Sequence, residues 1–270
     1  MTESLVLSER RGPVALLTLN RPDKLNAVNG PVIAALDRAL DEAEADEAVR
    51  VIVLAGAGRA FSAGFDLDMG LGDGAQSDPQ AVRRALENDF RVITRLWDSP
   101  KPTIAAVHGY CLGSAMELAL ACDLTIAAED CRFGEPEVKF GSGIVAMLLP
   151  WLTGPKAAKY LLLTGDDRVS AVEALALGLV NRVVPAASLL DEAVALAGRI
   201  AANDREAVRL TKKAINRSLD IGGMRQAMRA ALELDVAIET SESAESREFN
   251  EILKREGAKA AIAWRAGKTA

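Results

Sequence analysis

Glu117 has the surroundings that point most directly to chemistry. It lies in the segment 112–121, LGSAMELALA, which is apolar on nearly every side and therefore predicts a buried helix. A carboxylate in such a helix must be paired, protonated or functional, because an unpaired buried charge costs several kcal/mol. From this helix alone, a structural glutamate bonded to an amide or an arginine explains the pattern as well as a catalytic glutamate does.

A second carboxylate, Glu137, follows in the segment 133–137, FGEPE, just past a predicted strand. Loops at strand ends commonly hold functional groups, although a lone glutamate there fits a solvated loop residue better than a catalyst. If the fold brings Glu137 beside Glu117, the two carboxylates could act as an acid–base pair. The sequence by itself leaves their separation open.

Two glycine-containing turns could supply the other half of an active site. The first, 109–113 with sequence GYCLG, leads into the Glu117 helix, whose first backbone N–H groups have no partner inside the helix. Such a helix start can hold a carbonyl oxygen that becomes an oxyanion, although an ordinary strand-to-helix turn is the commoner reason for these glycines. The second turn, 62–66 with sequence SAGFD, could supply another N–H donor.

Two other enzyme classes fit the sequence poorly. The segment 56–58, GAG, resembles the start of a dinucleotide-binding G-x-G-x-x-G, but Phe61 replaces the third glycine and no amphipathic helix follows. A serine hydrolase would want G-x-S-x-G around Ser114, which is flanked by leucine and methionine instead, and would have to use His108 as its base. A non-catalytic binding module is the alternative from a different class.

The composition narrows the range of partners. The chain has 270 residues, a formal net charge of -6 and a pI near 5.1, so it has no global attraction for nucleic acid or an anionic membrane. A single histidine argues against a multi-histidine metal site, and three cysteines without C-x-x-C spacing predict neither a disulfide framework nor a zinc site. No secretory signal or membrane span is visible, so the default expectation is a cytoplasmic protein.

The predicted elements alternate between strand and helix through the first two-thirds of the chain. Apolar runs predict strands at 14–20, 49–56, 103–109, 123–129 and 179–184, and helical stripes occupy 30–43, 82–97 and 112–122. The glycine-rich passage 55–79 predicts a loop. From about residue 155 the pattern is mostly helical, with a capping box in SAVE (170–173) and further helices beginning near Ser188, Asp204, Met224 and Ser243.

Four segments in the right order and spacing resemble the enoyl-CoA hydratase/isomerase (crotonase) family. The resemblance runs from about residue 12 to 185 and is carried by NRPDKLNAVNGPVIAALDRAL (20–40), VRVIVLAGAGRAFSAGFDL (49–67), KPTIAAVHGYCLGSAMELALACDLTIAAEDCRFGEPEV (101–138) and LLLTGDDRVSAVEALALGLVNRVVP (161–185). It implies an α/β fold, a right-handed spiral of β-β-α units with a C-terminal helical trimerisation region. We therefore expect a spiral core with the acyl-CoA site at 1–195 and a helical region at 196–270 that closes the site and assembles homotrimers or dimers of trimers.

The resemblance assigns roles to residues of both turns and to both glutamates. In that family two backbone N–H groups polarise the thioester carbonyl of an acyl-CoA, and the matching positions here are Phe65 and Ser114, where Ser114 replaces a frequent glycine. The hydratases of the family carry two glutamates, which match Glu117 and Glu137. The resemblance implies that Glu117 orients and deprotonates the attacking water, and that Glu137 shares this water and exchanges the proton at the α-carbon.

The resemblance also places the CoA portion of the substrate along residues near the two turns, namely Lys24, Leu25, Asn26, Ala27, Ala63, Asp66, Leu67 and Gly113. The phosphates of CoA need a cation, for which the candidates are Lys24, Arg265 and Lys268. No metal or redox cofactor is expected, since coenzyme A is part of the substrate, and neither nucleic acid nor a membrane is an expected partner.

The sequence departs from the family pattern after the second glutamate. Many family hydratases carry a Pro-Gly-x-Gly-Gly segment there, whereas this chain has GSGIVAMLLPW at 141–151, with bulkier apolar side chains beside the expected acyl pocket. Retention of both glutamates favours a 2-trans-enoyl-CoA hydratase that forms a 3-hydroxyacyl-CoA. An enoyl-CoA isomerase, an acyl-CoA hydrolase and a non-catalytic acyl-CoA-binding protein are the alternatives.

Overall fold

Two β-sheets organise the fold around the predicted site. This computed structural model describes residues 4–67, 78–241 and 243–268, so residues 68–77 of the predicted loop lie outside the described residues. The strands are β1 (Val6–Arg11), β2 (Val14–Leu19), β3 (Val51–Gly56), β4 (Thr103–Val107), β5 (Tyr110–Leu112), β6 (Leu124–Ala128), β7 (Arg132–Gly134), β8 (Val169–Ser170) and β9 (Arg182–Val184). The larger sheet has the order β1-β2-β3-β4-β6-β9, and the smaller one has the order β5-β7-β8.

The larger sheet is parallel from β2 to β9, and β1 pairs antiparallel with β2 along one edge. Every residue of β4 and all but the last residue of β3 are buried. Strands of a parallel sheet read as continuous apolar runs because helices cover both faces of the sheet. The α/β class predicted from the alternating elements is confirmed.

The helices surround this sheet and fill the C-terminal third. They are α1 (Gly30–Ala45), α2 (Pro79–Asp98), α3 (Ser114–Ala121), α4 (Leu149–Thr153), α5 (Pro155–Thr164), α6 (Ala171–Ala176), α7 (Leu189–Ala201), α8 (Arg205–Ile221), α9 (Met224–Thr240), α10 (Ala244–Glu256) and α11 (Ala258–Lys268). Single turns of 3-10 helix occupy Pro22–Lys24, Glu137–Lys139 and Ala186–Ser188. None of the helices in the described ranges is both long enough and apolar enough to cross a membrane.

Each face of the larger sheet carries its own apolar core. The larger core includes Leu17 and Leu54 on the side covered by α1 to α3, and the smaller core joins Val53 and Ile104 to Ala193 of α7. Helix α7 spans residue 195, the predicted boundary between the spiral core and the helical region. The division into 1–195 and 196–270 stays a prediction.

Side-chain caps start the helices where the sequence predicts. Asn29 caps α1 by accepting a hydrogen bond from the Val32 amide, and the capping box predicted at 170–173 opens α6. Asp204 and Ser243 cap α8 and α10 in the same way. The strands of the smaller sheet contain only two or three residues, which is too short to show an apolar periodicity, so they were not predicted.

Asn26 fastens the turn after β2 to the loop after β3. This residue is 1% exposed, and its side-chain amide donates to the carbonyl oxygens of Ala57, Ala60 and Phe61 at 2.8, 2.8 and 3.1 Å. Its side-chain oxygen accepts a hydrogen bond from the backbone amide of Arg21 at 2.8 Å. Because both segments carry predicted site residues, one buried side chain fixes their relative position.

We expect Asn26→Ala to lower the free energy of unfolding by about 2–4 kcal/mol, since it leaves several buried backbone groups without partners. Urea denaturation followed by circular dichroism measures this change. The control is Asn20→Ala, which removes one exposed hydrogen bond to the Ser4 carbonyl and should cost less than about 1 kcal/mol. Equal losses in the two variants would contradict the role given to Asn26.

Candidate active site

The two predicted glycine turns lie in direct contact. A β-carbon on Gly64 would stand 2.7 Å from the Leu112 carbonyl oxygen and 3.4 Å from the Ser114 amide nitrogen. Gly64 also has a φ of +88°, a backbone conformation that favours glycine. The loop after β3 and the start of α3 can approach each other this closely because residue 64 has no side chain.

The amides of Phe65 and Ser114 are available as donors at this contact. Phe65 is flanked by Gly64, whose carbonyl accepts from the Val28 amide at 2.8 Å, and by Asp66, whose amide donates to the Val28 carbonyl at 2.9 Å. Ser114 begins α3, so its amide has no acceptor within the helix. Within the described part of the chain, neither of these two amides donates a hydrogen bond to the backbone outside helices and strands. The structure therefore places both predicted donors on adjoining turns.

Glu117 is buried, as the sequence predicts, with an exposed fraction of 2%. Its Oε1 accepts a hydrogen bond from the Ala146 amide at 2.8 Å, whereas its Oε2 has no partner among the described residues. Burial raises the pKa of Glu117 well above its ordinary range, and the nearby charge of Glu137 raises it further. Oε1 thus accepts a backbone hydrogen bond, and Oε2 is available to accept a hydrogen bond from a ligand.

Glu137 meets the Glu117 helix at its first turn. A β-carbon on Gly113 would lie 2.1 Å from Glu137 Oε1, so a glycine with a φ of +55° admits this carboxylate. Glu137 Oε2 is buried without a partner among the described residues, and burial raises the pKa of Glu137 to about 7. Glu137, at the start of the 3-10 helix Glu137–Lys139, is half-buried rather than a fully solvated loop residue.

A third carboxyl group, Glu135, joins the pair and was not singled out from the sequence. It is 2% exposed, and a side-chain hydrogen bond to Glu137 raises the pKa of Glu135 and lowers the pKa of Glu137. Burial is the larger reason why the pKa of Glu135 lies well above its ordinary range. The signal in the sequence is the close spacing of the two glutamates in FGEPE at the end of a strand, where functional groups are common.

Asp89 and Asp235 extend the acidic region from the facing helices α2 and α9. Burial raises the pKa of each to about 7, and both charges act on Glu117. Glu239, one turn beyond Asp235, accepts a hydrogen bond from the Gly143 amide at 3.3 Å. Asp235 could have been found from the sequence, because it shares the apolar stripe of α9 with Met224, Met228, Leu232 and Val236.

The predicted CoA-binding residues lie around the contact between the turns. Lys24 is exposed, Leu25, Ala63 and Leu67 are half-buried, and Ala27 and Gly113 are buried. Asp66 forms an ion pair with Arg21 at 2.9 Å, and Arg21 also donates to the Ala27 carbonyl at 2.7 Å. Arg21 was missed because its partner is 45 residues away in the chain.

Of the remaining candidates, Lys268 and His108 have structural partners. Lys268 binds Glu248 at 2.8 Å and lies 4.0 Å from the ring centre of Trp264. Arg265 is half-buried, and its Nε has no hydrogen-bond partner among the described residues. His108 Nε2 donates to the Gly58 carbonyl at 2.9 Å, which fits the interpretation of a satisfied structural histidine.

The segment 141–151, where the sequence departs from the family pattern, packs mainly into the larger core. Ile144, Val145 and Leu148 are buried there, and the Ala146 amide is the donor to Glu117. Gly143 faces α9, since a β-carbon on it would lie 2.1 Å from Asp235 Oδ1. The bulkier side chains are thus core residues, and backbone amides of the segment donate hydrogen bonds to the acidic side chains.

Comparisons with known proteins show which sequences and folds this chain resembles. A family model described as enoyl-CoA hydratase/isomerase matches residues 9–258. The short-chain-enoyl-CoA hydratase of Clostridium acetobutylicum is 38% identical over 225 residues, covering 79% of this chain and 82% of the relative. The crotonyl-CoA hydratase of Syntrophomonas wolfei is 37% identical over 223 residues, covering 80% and 83%. A crystal structure of an enoyl-CoA hydratase/isomerase from Xanthobacter autotrophicus Py2 has a TM-score of 0.95 at 49% identity over 99% of each chain.

These similarities confirm the resemblance and the expected crotonase-type α/β fold. The matched region includes both turns and all the carboxylates of the site. The roles of individual residues stay predictions.

We expect the protein to be more stable at pH 5.5 than at pH 8. The buried carboxyls, with pKa values raised to about 7 for Asp89, Glu137 and Asp235, keep protons that the unfolded chain has lost above about pH 4. Between these values the folded state binds more protons, so the free energy of unfolding falls as the pH rises. Carboxylates with lowered pKa values, such as Asp37, are ionised in both states across this range.

Asp235→Asn tests this prediction directly. The variant should reduce the difference in the free energy of unfolding between pH 5.5 and pH 8 by at least about 1 kcal/mol, because one raised pKa is removed. Glu233→Gln is the control, since Glu233 is exposed on the same helix and pairs with Arg83. Urea titrations at both pH values measure the difference, and an unchanged difference in Asp235→Asn would contradict the assignment.

Proposed function

Because this chain belongs to the enoyl-CoA hydratase/isomerase family, we propose that it is a 2-trans-enoyl-CoA hydratase. It adds water reversibly across the C2–C3 double bond and gives a 3-hydroxyacyl-CoA. The observation that carries the proposal is the pair of buried carboxylate oxygens, Glu117 Oε2 and Glu137 Oε2, which have no partner among the described residues. Two such acceptors suit the two hydrogens of one water molecule.

The carboxyl pair carries out the proton transfers. Burial raises the pKa of both carboxyl groups, and the charge of Glu137 raises the pKa of Glu117 further, so in the proposed reaction one member is protonated while the other is ionised. As the water oxygen bonds to C3, the ionised member takes a proton from the water, and the protonated member gives a proton to C2. The pair ends with the same total charge, and the hydroxyl and the hydrogen together account for one water.

The amides of Phe65 and Ser114 stabilise the charge that develops during this addition. Attack at C3 moves electrons toward the thioester oxygen, and two fixed N–H donors lower the energy of that enolate-like state. The tight contact at Gly64 supports this role, because it holds both donors before the substrate arrives. The donor is a backbone group, so the serine at position 114 does not remove it.

The substrate's CoA portion lies along the turn residues, and no further cofactor takes part. Lys24, Leu25, Ala27, Ala63, Asp66, Leu67 and Gly113 line this path in the proposal, with Arg21 holding Asp66 and Ala27 in place. Lys24 is the exposed cation placed to meet the CoA phosphates. Hydration moves only protons and water, so neither a metal nor a redox group is needed.

We propose in addition a homotrimer or a dimer of trimers. Large apolar side chains are exposed on α8 and α9, including Ile215, Ile221 and Leu234 at 58%, 79% and 68%. Exposed apolar groups on neighbouring helices mark a surface for association. Light scattering on the purified protein measures the mass, and a monomer would overturn this proposal.

The three unpaired cysteines are consistent with a reducing, cytoplasmic location.

We expect the purified protein to hydrate crotonyl-CoA and hex-2-enoyl-CoA in buffer that contains EDTA. The absorbance of the conjugated thioester should fall, and mass spectrometry should show a product heavier by one water. Formation of a 3-enoyl isomer or of free CoA would identify one of the alternative reactions. Binding of both thioesters without any product would show a non-catalytic acyl-CoA-binding protein.

Glu117→Gln and Glu137→Gln should each lower kcat at least about 100-fold, because each removes a group that exchanges a proton in the reaction. Glu129→Gln is the control, since Glu129 is an exposed glutamate that follows β6. Stopped-flow or steady-state hydration of crotonyl-CoA measures the rates. A near-normal rate in either site variant would remove that glutamate from the mechanism.

A further inference from the structure

The loop that carries the Phe65 amide is held on one side by a short pairing with the turn after β2. The Val28 amide donates to the Gly64 carbonyl at 2.8 Å, and the Asp66 amide donates to the Val28 carbonyl at 2.9 Å. Both bonds belong to Val28, which pairs in parallel with Phe65 as an isolated bridge outside the named strands. Because these bonds go to the residues on either side of Phe65, its own N–H is directed away from Val28.

The opposite side of the same loop pairs with the segment that leads into α3. The Ser62 amide donates to the Tyr110 carbonyl at 3.0 Å, and the Leu112 amide donates to the Ser62 carbonyl at 3.3 Å. The loop thus lies between the turn after β2 and the start of α3. The position of the Phe65 amide relative to the second donor, the Ser114 amide, therefore depends on how firmly the loop is held against that turn.

Arg21 holds both ends of the isolated bridge with a single nitrogen. Its Nη1 donates to the Ala27 carbonyl at 2.7 Å and to a carboxylate oxygen of Asp66 at 2.9 Å. Ala27 precedes one member of the bridge and Asp66 follows the other, so the two hydrogens of this nitrogen close over the bridge. The side chains are 19% exposed for Arg21 and 7% exposed for Asp66, which shields the ion pair from water.

The backbone that carries Arg21 is itself fixed. The Arg21 amide donates to the side-chain oxygen of Asn26 at 2.8 Å, and the Asn26 amide donates to the Arg21 carbonyl at 2.9 Å. Leu25 and Asn26 have positive φ angles of 50° and 55°, a conformation uncommon for residues other than glycine. The guanidinium thus acts from a tight turn, and its bond to the Asp66 carboxylate is of the stronger, charge-assisted kind.

We propose that Arg21 is a positioning residue, which holds the Phe65 amide in place beside the Ser114 amide by clamping the bridge from outside. The proposal rests on the hydratase function proposed above, in which these two amides bind the thioester oxygen. Arg21 touches no reacting atom and moves no proton. It acts on the geometry of one donor, and fixed donors contribute most where negative charge develops in the transition state.

Arg21→Met should lower kcat for hydration of crotonyl-CoA at least about tenfold and change KM less than about threefold. Methionine fills much of the same volume but donates no hydrogen bond, so the bridge loses its clamp. Steady-state kinetics measure both constants, and circular dichroism confirms folding. A higher KM at an unchanged kcat would assign Arg21 to CoA binding alone and would overturn the proposal.

Arg11→Met is the matched control. Arg11 and Glu9 form an ion pair with the same distance of 2.9 Å as Arg21 and Asp66, but this pair is on β1 with side chains 36% and 57% exposed. The control variant should keep kcat within about twofold. Asp66→Asn is a second site variant, which keeps the size of the side chain but removes its charge, and its kcat should fall at least about threefold. A normal kcat in either folded site variant would overturn the proposal.

Infrared spectroscopy of a bound saturated thioester tests the donors without any hydration. Binding of butyryl-CoA, labelled with carbon-13 at the carbonyl, should lower the C=O stretching frequency in the wild-type protein, because both amides polarise that bond. Arg21→Met should lose at least about half of this shift, whereas Arg11→Met should keep it. No shift in the wild-type protein, or a full shift in Arg21→Met, would overturn the proposal.

The same measurements separate this proposal from the hydratase function. A shift that depends on Arg21, in a wild-type preparation that does not hydrate crotonyl-CoA, supports the positioning role and contradicts the hydratase function. Hydration by a wild-type protein whose shift survives in Arg21→Met leaves the hydratase function in place and overturns the positioning role.

Discussion

The accumulation of negative charge inside the protein is the constraint on which the site depends. Five carboxyl groups, those of Asp89, Glu117, Glu135, Glu137 and Asp235, are largely buried, and each has a raised pKa. In a region of low dielectric constant these groups cannot all ionise, so the folded protein stores protons near neutral pH. Addition of water across a double bond uses one proton from oxygen and delivers one to carbon. Carboxyl groups with raised pKa values suit that exchange, because they can hold a proton near neutral pH and release it to carbon during the reaction.

The backbone supports this charge because its geometry is fixed before any ligand binds. Gly64 and Gly113 allow two turns and one carboxylate to approach within distances that a side chain would prevent. Asn26 fastens the loop that leads to Gly64 to the turn after β2 through buried hydrogen bonds, and the parallel strands behind them are buried. Donors that are held by bonds made elsewhere need no reorganisation when charge develops on a substrate oxygen. Burying the carboxylates therefore lowers the free energy of unfolding but does not alter the geometry of the site.

Much of this fold could be predicted from periodicity and end signals. The long parallel strands, the capped helices and the buried helix around Glu117 all have patterns that persist over enough residues to be recognised. The strands of the smaller sheet are too short to show a recognisable pattern. The Arg21–Asp66 ion pair leaves no local pattern either, because its members are far apart in the chain. The environment of Glu137 could not be predicted from its own segment, because burial of a loop residue depends on what packs over it, here the turn at Gly113 and the C-terminal helices. The aromatic contact of Phe140 with Phe249 of α10 belongs to that cover.

The segment 141–151, which departs from the family pattern, also contacts the acids Asp235 and Glu239 of α9. The Gly143 amide donates to Glu239, and three residues later the Ala146 amide donates to Glu117. The side chains of Ile144 and Val145 between them are anchored in the larger core, so the short connection cannot slide freely. Glu239 and Glu117 are therefore linked through the backbone of residues 143–146, and Asp235 acts on Glu117 through its charge.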